Sequence, residues 1–128
     1  MRYLHTMLRV GDLQRSIDFY TGVLGFTEVR RADYPKGEFT LAFLRAPGDD
    51  DSGPMLELTY NWGVDHYELG DAYGHVAFQV DSVEAVGERL AAAGHSFSWG
   101  PGKTPDGATT MAFIDDPDGY RIELLAYQ

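Results

Sequence analysis

The chain has 128 residues, a length that fits one domain or two small modules that share a core. It has no cysteine, which excludes disulfide scaffolds, zinc fingers and thiol nucleophiles, and its formal net charge of −10 argues against a nucleic-acid partner. No apolar run approaches the roughly 20 residues that span a bilayer, and no signal-peptide pattern opens the chain, so we expect no membrane partner and a cytoplasmic location.

The first half opens with an alternating segment that predicts a β-strand over residues 4–10. One set is expected to pack on a helix and comprises Leu4, Thr6, Leu8 and Val10. The other set faces away and comprises His5, Met7 and Arg9. Apolar residues at helical spacing then predict a helix between an N-cap at Asp12 and a terminating Gly25.

The second half repeats the first. Residues 4–10 align with 74–80, and residues 40–44 align with 110–114, both at an offset of 70. Residues 55–58 align with 121–124 at an offset of 66. Internal repeats of this kind indicate a duplicated structural unit. Each half is therefore predicted to contain a strand, a helix and three further strands.

Three local signals punctuate the second half. Val83, Val86 and Leu90 form the apolar stripe of a helix, with a capping-box pattern at Asp81 and Glu84. The glycine- and proline-rich segment 99–107 predicts a loop. Residues 116–119, Asp-Pro-Asp-Gly, predict a tight turn between two strands.

The predicted fold class is α+β, with two βαβββ modules in tandem within a single domain, residues 1–128. Module 1 covers about residues 1–61 and module 2 about residues 73–128.

A histidine and a glutamate occupy matching positions in the two halves. His5 corresponds to His75 on the first strands, and Glu57 corresponds to Glu123 on the last strands. Strand alternation turns all four side chains away from the helices. Nitrogen and oxygen ligands without thiolate suit nickel, cobalt, manganese, iron or zinc. The pattern predicts a metal site that leaves coordination positions for substrate.

Four blocks of the chain resemble glyoxalase I, a family of the vicinal-oxygen-chelate superfamily. They are residues 4–20, the Glu-Leu-Thr-Tyr-Asn-Trp-Gly block at 57–63, residues 72–75 and residues 116–123. The resemblance implies that the paired modules form an open, cup-shaped sheet around a metal. It implies His5, Glu57, His75 and Glu123 as ligands, and a homodimer with sites at the subunit interface. With His5 at the first ligand position, the chain resembles the members of the family that are activated by Ni²⁺ or Co²⁺ rather than by Zn²⁺.

The resemblance also implies an activity. The enzyme would be a lactoylglutathione lyase, a carbon–sulfur lyase that detoxifies methylglyoxal through its glutathione hemithioacetal. Glu123 would be the main base and Glu57 its symmetric partner. The residues implied to bind substrate are Arg9 and Asn61 for glutathione carboxylates, Tyr34, Phe39 and Leu41 around the methyl group, and Lys103 for glutathione.

Two departures from the family pattern leave the thiol open. The loop after Gly102 is about two residues longer than the common bacterial form, and Asp71 stands where some members carry arginine. Other thiols, including the cationic trypanothione, remain alternatives. So do other enzymes of the superfamily (an epimerase, a fosfomycin thiol transferase, an extradiol dioxygenase) and a metal-free drug-binding module.

Overall fold

The structure is a computed structural model that describes residues 1–127. The chain divides into two compact units, Met1–Glu68 and a second unit that begins at Leu69. That the two form one domain stays a prediction. Within residues 1–127, no helix is long and apolar enough to cross a membrane.

Unit 1 is a four-stranded mixed sheet with one helical segment. Its elements are β1 His5–Arg9, α1 Leu13–Asp18, a π-helical turn Phe19–Val23, β2 Thr27–Tyr34, β3 Phe39–Arg45 and β4 Met55–Asn61. The strand order is β1-β4-β3-β2. β1 runs parallel to β4, and the other neighbours are antiparallel. The parallel pairing places the starts of β1 and β4 side by side.

The helical segment of unit 1 begins as predicted and then widens. The Asp12 carboxylate accepts the Arg15 backbone N–H at 3.0 Å, which confirms the N-cap. Beyond Asp18 the chain makes a π-helical turn, where the Thr21 hydroxyl donates to the Ile17 carbonyl at 2.7 Å. Such a side-chain donor competes with the regular backbone ladder. Gly25 then ends the segment with a φ of +78°.

Unit 2 repeats the same order of elements. It contains β5 Val76–Gln79, α2 Val83–Ala92, β6 Trp99–Lys103, β7 Thr110–Asp115 and β8 Arg121–Ala126. The strand order is β5-β8-β7-β6, again with the first and last strands parallel. The α+β prediction of two βαβββ modules is confirmed.

The structure corrects three local expectations. Ser82, not Asp81, caps α2, because its hydroxyl accepts the Ala85 backbone N–H at 3.1 Å. The segment predicted as a loop contains β6, which is held by pairing with β7 and by a contact between the Trp99 and Phe113 rings. Leu4 is 67% exposed, because it precedes β1 instead of packing on the helix.

The predicted turn before β8 is confirmed and is tightly bonded. Asp116 is only 5% exposed. Its carboxylate accepts the backbone N–H groups of Asp118 at 2.9 Å and Tyr120 at 3.0 Å. Gly119 completes the turn with a φ of +90°, a conformation that favours glycine. This turn fixes the start of β8, the strand that carries Glu123.

Candidate metal centre and substrate face

The register of β1 and β4 brings the first predicted ligand pair together. His5 pairs with Met55, and Met7 pairs with Glu57 two residues further along both strands. Side chains two residues apart share a sheet face, so His5 and Glu57 lie side by side. The distance from His5 Nε2 to Glu57 Oε2 is 3.4 Å. The Glu57 side chain is 12% exposed, so this carboxylate is largely withdrawn from water.

Unit 2 builds the same pair with the same register. Ala77, two residues after His75, pairs with Glu123 across β5 and β8. The distance from His75 Nε2 to Glu123 Oε2 is 3.1 Å. The Glu123 side chain is 17% exposed. The shared face that strand alternation predicted within each half is therefore present in both units.

A phenylalanine ring contacts each histidine. Neither phenylalanine was predicted as a site residue from the sequence. Phe43 pairs with Glu57, and Phe113 pairs with Glu123, on the next strand of each sheet. The ring of Phe43 meets the His5 imidazole edge-on at 5.4 Å, and Phe113 meets His75 at 5.6 Å. Their equal place in the repeated segments 40–44 and 110–114 was the available signal.

An arginine lies over each phenylalanine. The guanidinium carbon of Arg30 is 4.9 Å from the centre of the Phe43 ring. Arg121 lies 5.8 Å from the centre of the Phe113 ring. Arg30 comes from β2, whereas Arg121 comes from β8, so the two cations do not occupy matching positions of the repeat. The two units share the His, Glu and Phe arrangement but differ in how they place positive charge beside it.

The unit 1 sheet face that bears His5 also bears the other unit 1 residues predicted for substrate. They follow from the register as Arg9, Tyr34, Phe39, Leu41 and Asn61. The Tyr34 and Phe39 rings stack at 4.9 Å. The Asn61 amide donates to the Tyr67 hydroxyl at 3.0 Å. Leu41 is only 7% exposed, so it offers little open surface within this face.

A glycine ties the segment after Asn61 to the end of β1. A side chain at Gly11 would overlap the backbone carbonyl of Asp65. The close approach requires glycine, and it holds residues 62–66 against the chain between β1 and α1. The segment that follows β4 therefore lies against the chain just after Arg9, the last residue of β1.

Lys103 lies on the other side of its sheet. It pairs with Thr110, whereas Phe113 and Glu123 belong to the opposite face of β7 and β8. The Lys103 ammonium donates to the Thr110 hydroxyl at 2.9 Å. Within unit 2 the structure does not bring Lys103 to the His75–Glu123 pair. Its predicted role toward glutathione stays a prediction.

The side chains present suit a divalent metal. Each unit places one imidazole nitrogen and one carboxylate oxygen within 3.4 Å of each other, without thiolate, a donor set that first-row divalent ions accept. In the described part of the chain, residues 1–127, no group of three or more potential ligands lies close enough to hold an ion. Each pair would supply two of the four predicted ligands.

Tyr73, two residues before His75, has a buried hydroxyl with no hydrogen-bond partner among residues 1–127. Its ring meets Tyr120 edge-on at 5.1 Å. Burial raises the pKa of the Tyr73 hydroxyl, and the nearby Asp116 carboxylate and Tyr120 raise it further. The neutral hydroxyl is favoured beside the start of β5.

Comparison with known proteins gives a consistent result. Residues 2–124 match the family described as Glyoxalase/Bleomycin resistance protein/Dioxygenase superfamily. The chain is 51% identical to a lactoylglutathione lyase of Escherichia coli, over 98% of this chain and 92% of that protein. It is 50% identical to one of Neisseria meningitidis, over 98% and 90%.

Solved structures agree with this result. The trypanothione-dependent glyoxalase I of Leishmania major is 44% identical to the chain with a TM-score of 0.84, over 98% of this chain and 86% of that one. The glyoxalase I of maize (Zea mays) is 41% identical with a TM-score of 0.90, over 97% of this chain and 44% of that one. The predicted resemblance to glyoxalase I is confirmed.

Proposed function

Because the chain belongs to the Glyoxalase/Bleomycin resistance protein/Dioxygenase superfamily, and relatives of about half-identical sequence are lactoylglutathione lyases, we infer that it is a lactoylglutathione lyase. It isomerises the hemithioacetal of methylglyoxal and glutathione to S-lactoylglutathione, and so removes methylglyoxal. The observation that carries this proposal is the repeated pair of His and Glu side chains, His5 with Glu57 and His75 with Glu123. A drug-binding module without chemistry has no need of such pairs.

The four side chains hold a divalent metal in this proposal. The imidazoles of His5 and His75 and the carboxylates of Glu57 and Glu123 would be its ligands. We propose Ni²⁺, with Co²⁺ as an effective substitute and Zn²⁺ as a poorer one. A bound ion of this kind acts as a Lewis acid, which polarises the substrate oxygens and acidifies the adjacent C–H bond.

Glu123 moves the proton. Its carboxylate takes the proton from the carbon that bears the hydroxyl and the sulfur, which leaves an enediolate. It returns that proton to the neighbouring carbon, while the hydroxyl proton passes from the first oxygen to the second. The products of these steps are a thioester carbonyl and a new secondary alcohol, with no net gain or loss of protons. In this scheme Glu123 acts as a general base that transfers the proton directly. Glu57 occupies the matching position in unit 1.

The remaining residues hold the substrate. We propose that Arg9 and Asn61 bind a carboxylate of glutathione, since both lie on the His5 face of unit 1. Tyr34, Phe39 and Leu41 supply apolar surface near the methyl group. Lys103 lies on the opposite face of its sheet from Glu123, so it would contact glutathione on that opposite face. The thiol is glutathione in this proposal, with trypanothione as the alternative that the Leishmania major relative raises.

The proposed assembly is a homodimer with sites at the subunit interface. His5 and Glu57 of one subunit would meet the second pair, supplied by the other subunit. This arrangement would complete a set of four ligands, of which each unit presents two. We place the enzyme in the cytoplasm, where low-molecular-weight thiols are kept reduced.

Substitution of the base tests the proposal. Glu123→Gln keeps the size of the side chain and removes its basicity, so we expect turnover of the methylglyoxal–glutathione adduct to fall roughly a hundredfold or more. Glu88→Gln, the same change on the exposed side of α2, is the control and should retain full activity. Thioester formation followed by ultraviolet absorbance measures both. Equal turnover in the two variants would contradict the assignment of Glu123.

A further inference from the structure

A pocket of about 450 Å³ lies in unit 1 beside His5. We call it the His5 pocket; the lining residues used below are Arg2, His5, Val29, Arg30, Phe43 and Met55. Its volume is in the range of small-molecule sites. Its walls combine apolar side chains with two guanidinium groups, a combination suited to a small ligand that has an apolar body and an anionic end.

Arg30 has no partner within the chain for its positive charge. Among residues 1–127 its side chain forms no ion pair or side-chain hydrogen bond, and its guanidinium lies over the face of the Phe43 ring. Its neighbour Arg31, on the opposite sheet face, is paired with Glu28 at 2.6 Å. A guanidinium group has five N–H donors, and those of Arg30 remain available at the mouth of the His5 pocket.

The acidic residue in the pocket wall does not neutralise Arg30. Asp51 lines the pocket, but its carboxylate is paired with Arg45 at 3.3 Å. In unit 2 the arginine beside the phenylalanine does have an ion-pair partner, because Arg121 lies 3.5 Å from Asp115. Unpartnered positive charge next to a ligand pair is therefore a property of unit 1.

The surrounding sheet face is basic although the chain carries a net charge of −10. The register places Arg9, Arg30 and Arg45 on the strands of this face. Among the described residues of these strands, Glu57 is the one acidic residue on this face. A surface with this balance of charge attracts anions.

The position of the pocket indicates which part of the substrate enters it. Arg9 and Asn61, proposed to bind the thiol, lie toward the ends of β1 and β4, whereas the pocket lies beside their starts, His5 and Met55. Between Phe43 and the end of the face that carries Arg9 and Asn61, Leu41 is buried and leaves little space. A substituent larger than methyl, for which the buried Leu41 leaves no room beside the methyl position, finds open volume in the cavity on the His5 side of this face.

We propose that the His5 pocket accepts the substituent of the α-oxoaldehyde, and that Arg30 makes it selective for substituents that end in a carboxylate. The inference rests on the proposed function. It extends the substrate class from methylglyoxal to hemithioacetals of anionic α-oxoaldehydes. Arg30 is a specificity residue here, and the proton transfer stays with the glutamates.

Two glyoxals of matched size test the proposal. Carboxyethylglyoxal carries the anionic group, and carbamoylethylglyoxal, its amide, is the neutral isostere. We expect the wild-type enzyme to have a kcat/KM roughly tenfold higher for the carboxylate adduct, as befits a charge-assisted hydrogen bond at a partly exposed site. Arg30→Gln should bring the two values within about twofold, and Arg30→Lys should retain part of the preference because it keeps the charge.

The adjacent arginine provides the control. Arg31→Gln makes the same charge change on the opposite face and should keep the wild-type preference. Because the readout is a ratio within each variant, a partial loss of stability cancels. A wild-type enzyme without the preference, or a preference that persists in Arg30→Gln, would overturn the proposal. If the wild-type enzyme does not turn over the methylglyoxal adduct either, the proposed function fails and not only this extension of it.

Discussion

The Asp116 turn supports the strand that carries Glu123, and its contribution to stability follows from its contacts. The carboxylate accepts two backbone N–H groups, at 2.9 and 3.0 Å, in a site that is 5% exposed. Hydrogen bonds to a charged group contribute about 1.5–3 kcal/mol each. Asp116→Ala removes both and leaves the two N–H groups without this acceptor. We therefore expect the free energy of unfolding to fall by about 3 kcal/mol.

A loss of that size is a large share of the roughly 5–15 kcal/mol of a small domain, and it lowers the Tm by about 10 °C. Asp116→Asn keeps an oxygen acceptor without the charge and should lose about half as much. Asp71→Ala, which removes an exposed carboxylate, should change stability by less than about 0.5 kcal/mol. Urea and thermal unfolding followed by circular dichroism measure all three. Asp116→Ala unfolding together with Asp71→Ala would refute the reasoning.

Three further outcomes are expected. Ser82→Ala should lower the free energy of unfolding by about 1 kcal/mol in urea titrations. Asp81→Ala should not, because the Ser82 hydroxyl is the cap. A larger loss in Asp81→Ala than in Ser82→Ala would instead support the capping box predicted from Asp81 and Glu84. Since the folded-state pKa of Tyr73 is raised, the folded chain keeps a proton that the unfolded chain loses above about pH 10, so stability falls as the pH rises further. Tyr73→Phe should lessen that alkaline loss in thermal melts, and an unchanged pH profile would contradict the buried hydroxyl. Mixed His5→Ala and Glu123→Gln subunits should regain activity, since one shared site of each heterodimer keeps all four ligands; verified heterodimers without activity would exclude shared sites.

The two pairs of His and Glu side chains could be predicted because the internal repeat and the strand alternation determine them. The repeat matched His5 with His75 and Glu57 with Glu123, and strand alternation placed each pair on one face. Parallel pairing of the first and last strands then brought each pair within 3.4 Å or less.

The features that were missed depend on contacts between elements. β6 forms from a glycine- and proline-rich segment because β7 pairs with it and because Trp99 packs on Phe113, a tertiary effect that local composition cannot reveal. The side on which Lys103 lies depends on a register shift between Trp99 and Gly102, and a shift of one residue moves a side chain to the other face. The Phe43 and Phe113 contacts were signalled by the repeat, but both residues read as ordinary apolar positions of a strand.

The ligand set as a whole is tested most directly by metal reconstitution. The protein is stripped with a chelator, Ni²⁺, Co²⁺, Zn²⁺, Mn²⁺ or Mg²⁺ is added back separately, and thioester formation from methylglyoxal and glutathione is followed. We expect the stripped protein to be inactive, Ni²⁺ and Co²⁺ to restore turnover, and Zn²⁺ to restore little. Full activity after stripping, or stoichiometric metal binding without thioester formation for any ion, would contradict a metal-dependent lyase built on the two pairs of His and Glu side chains.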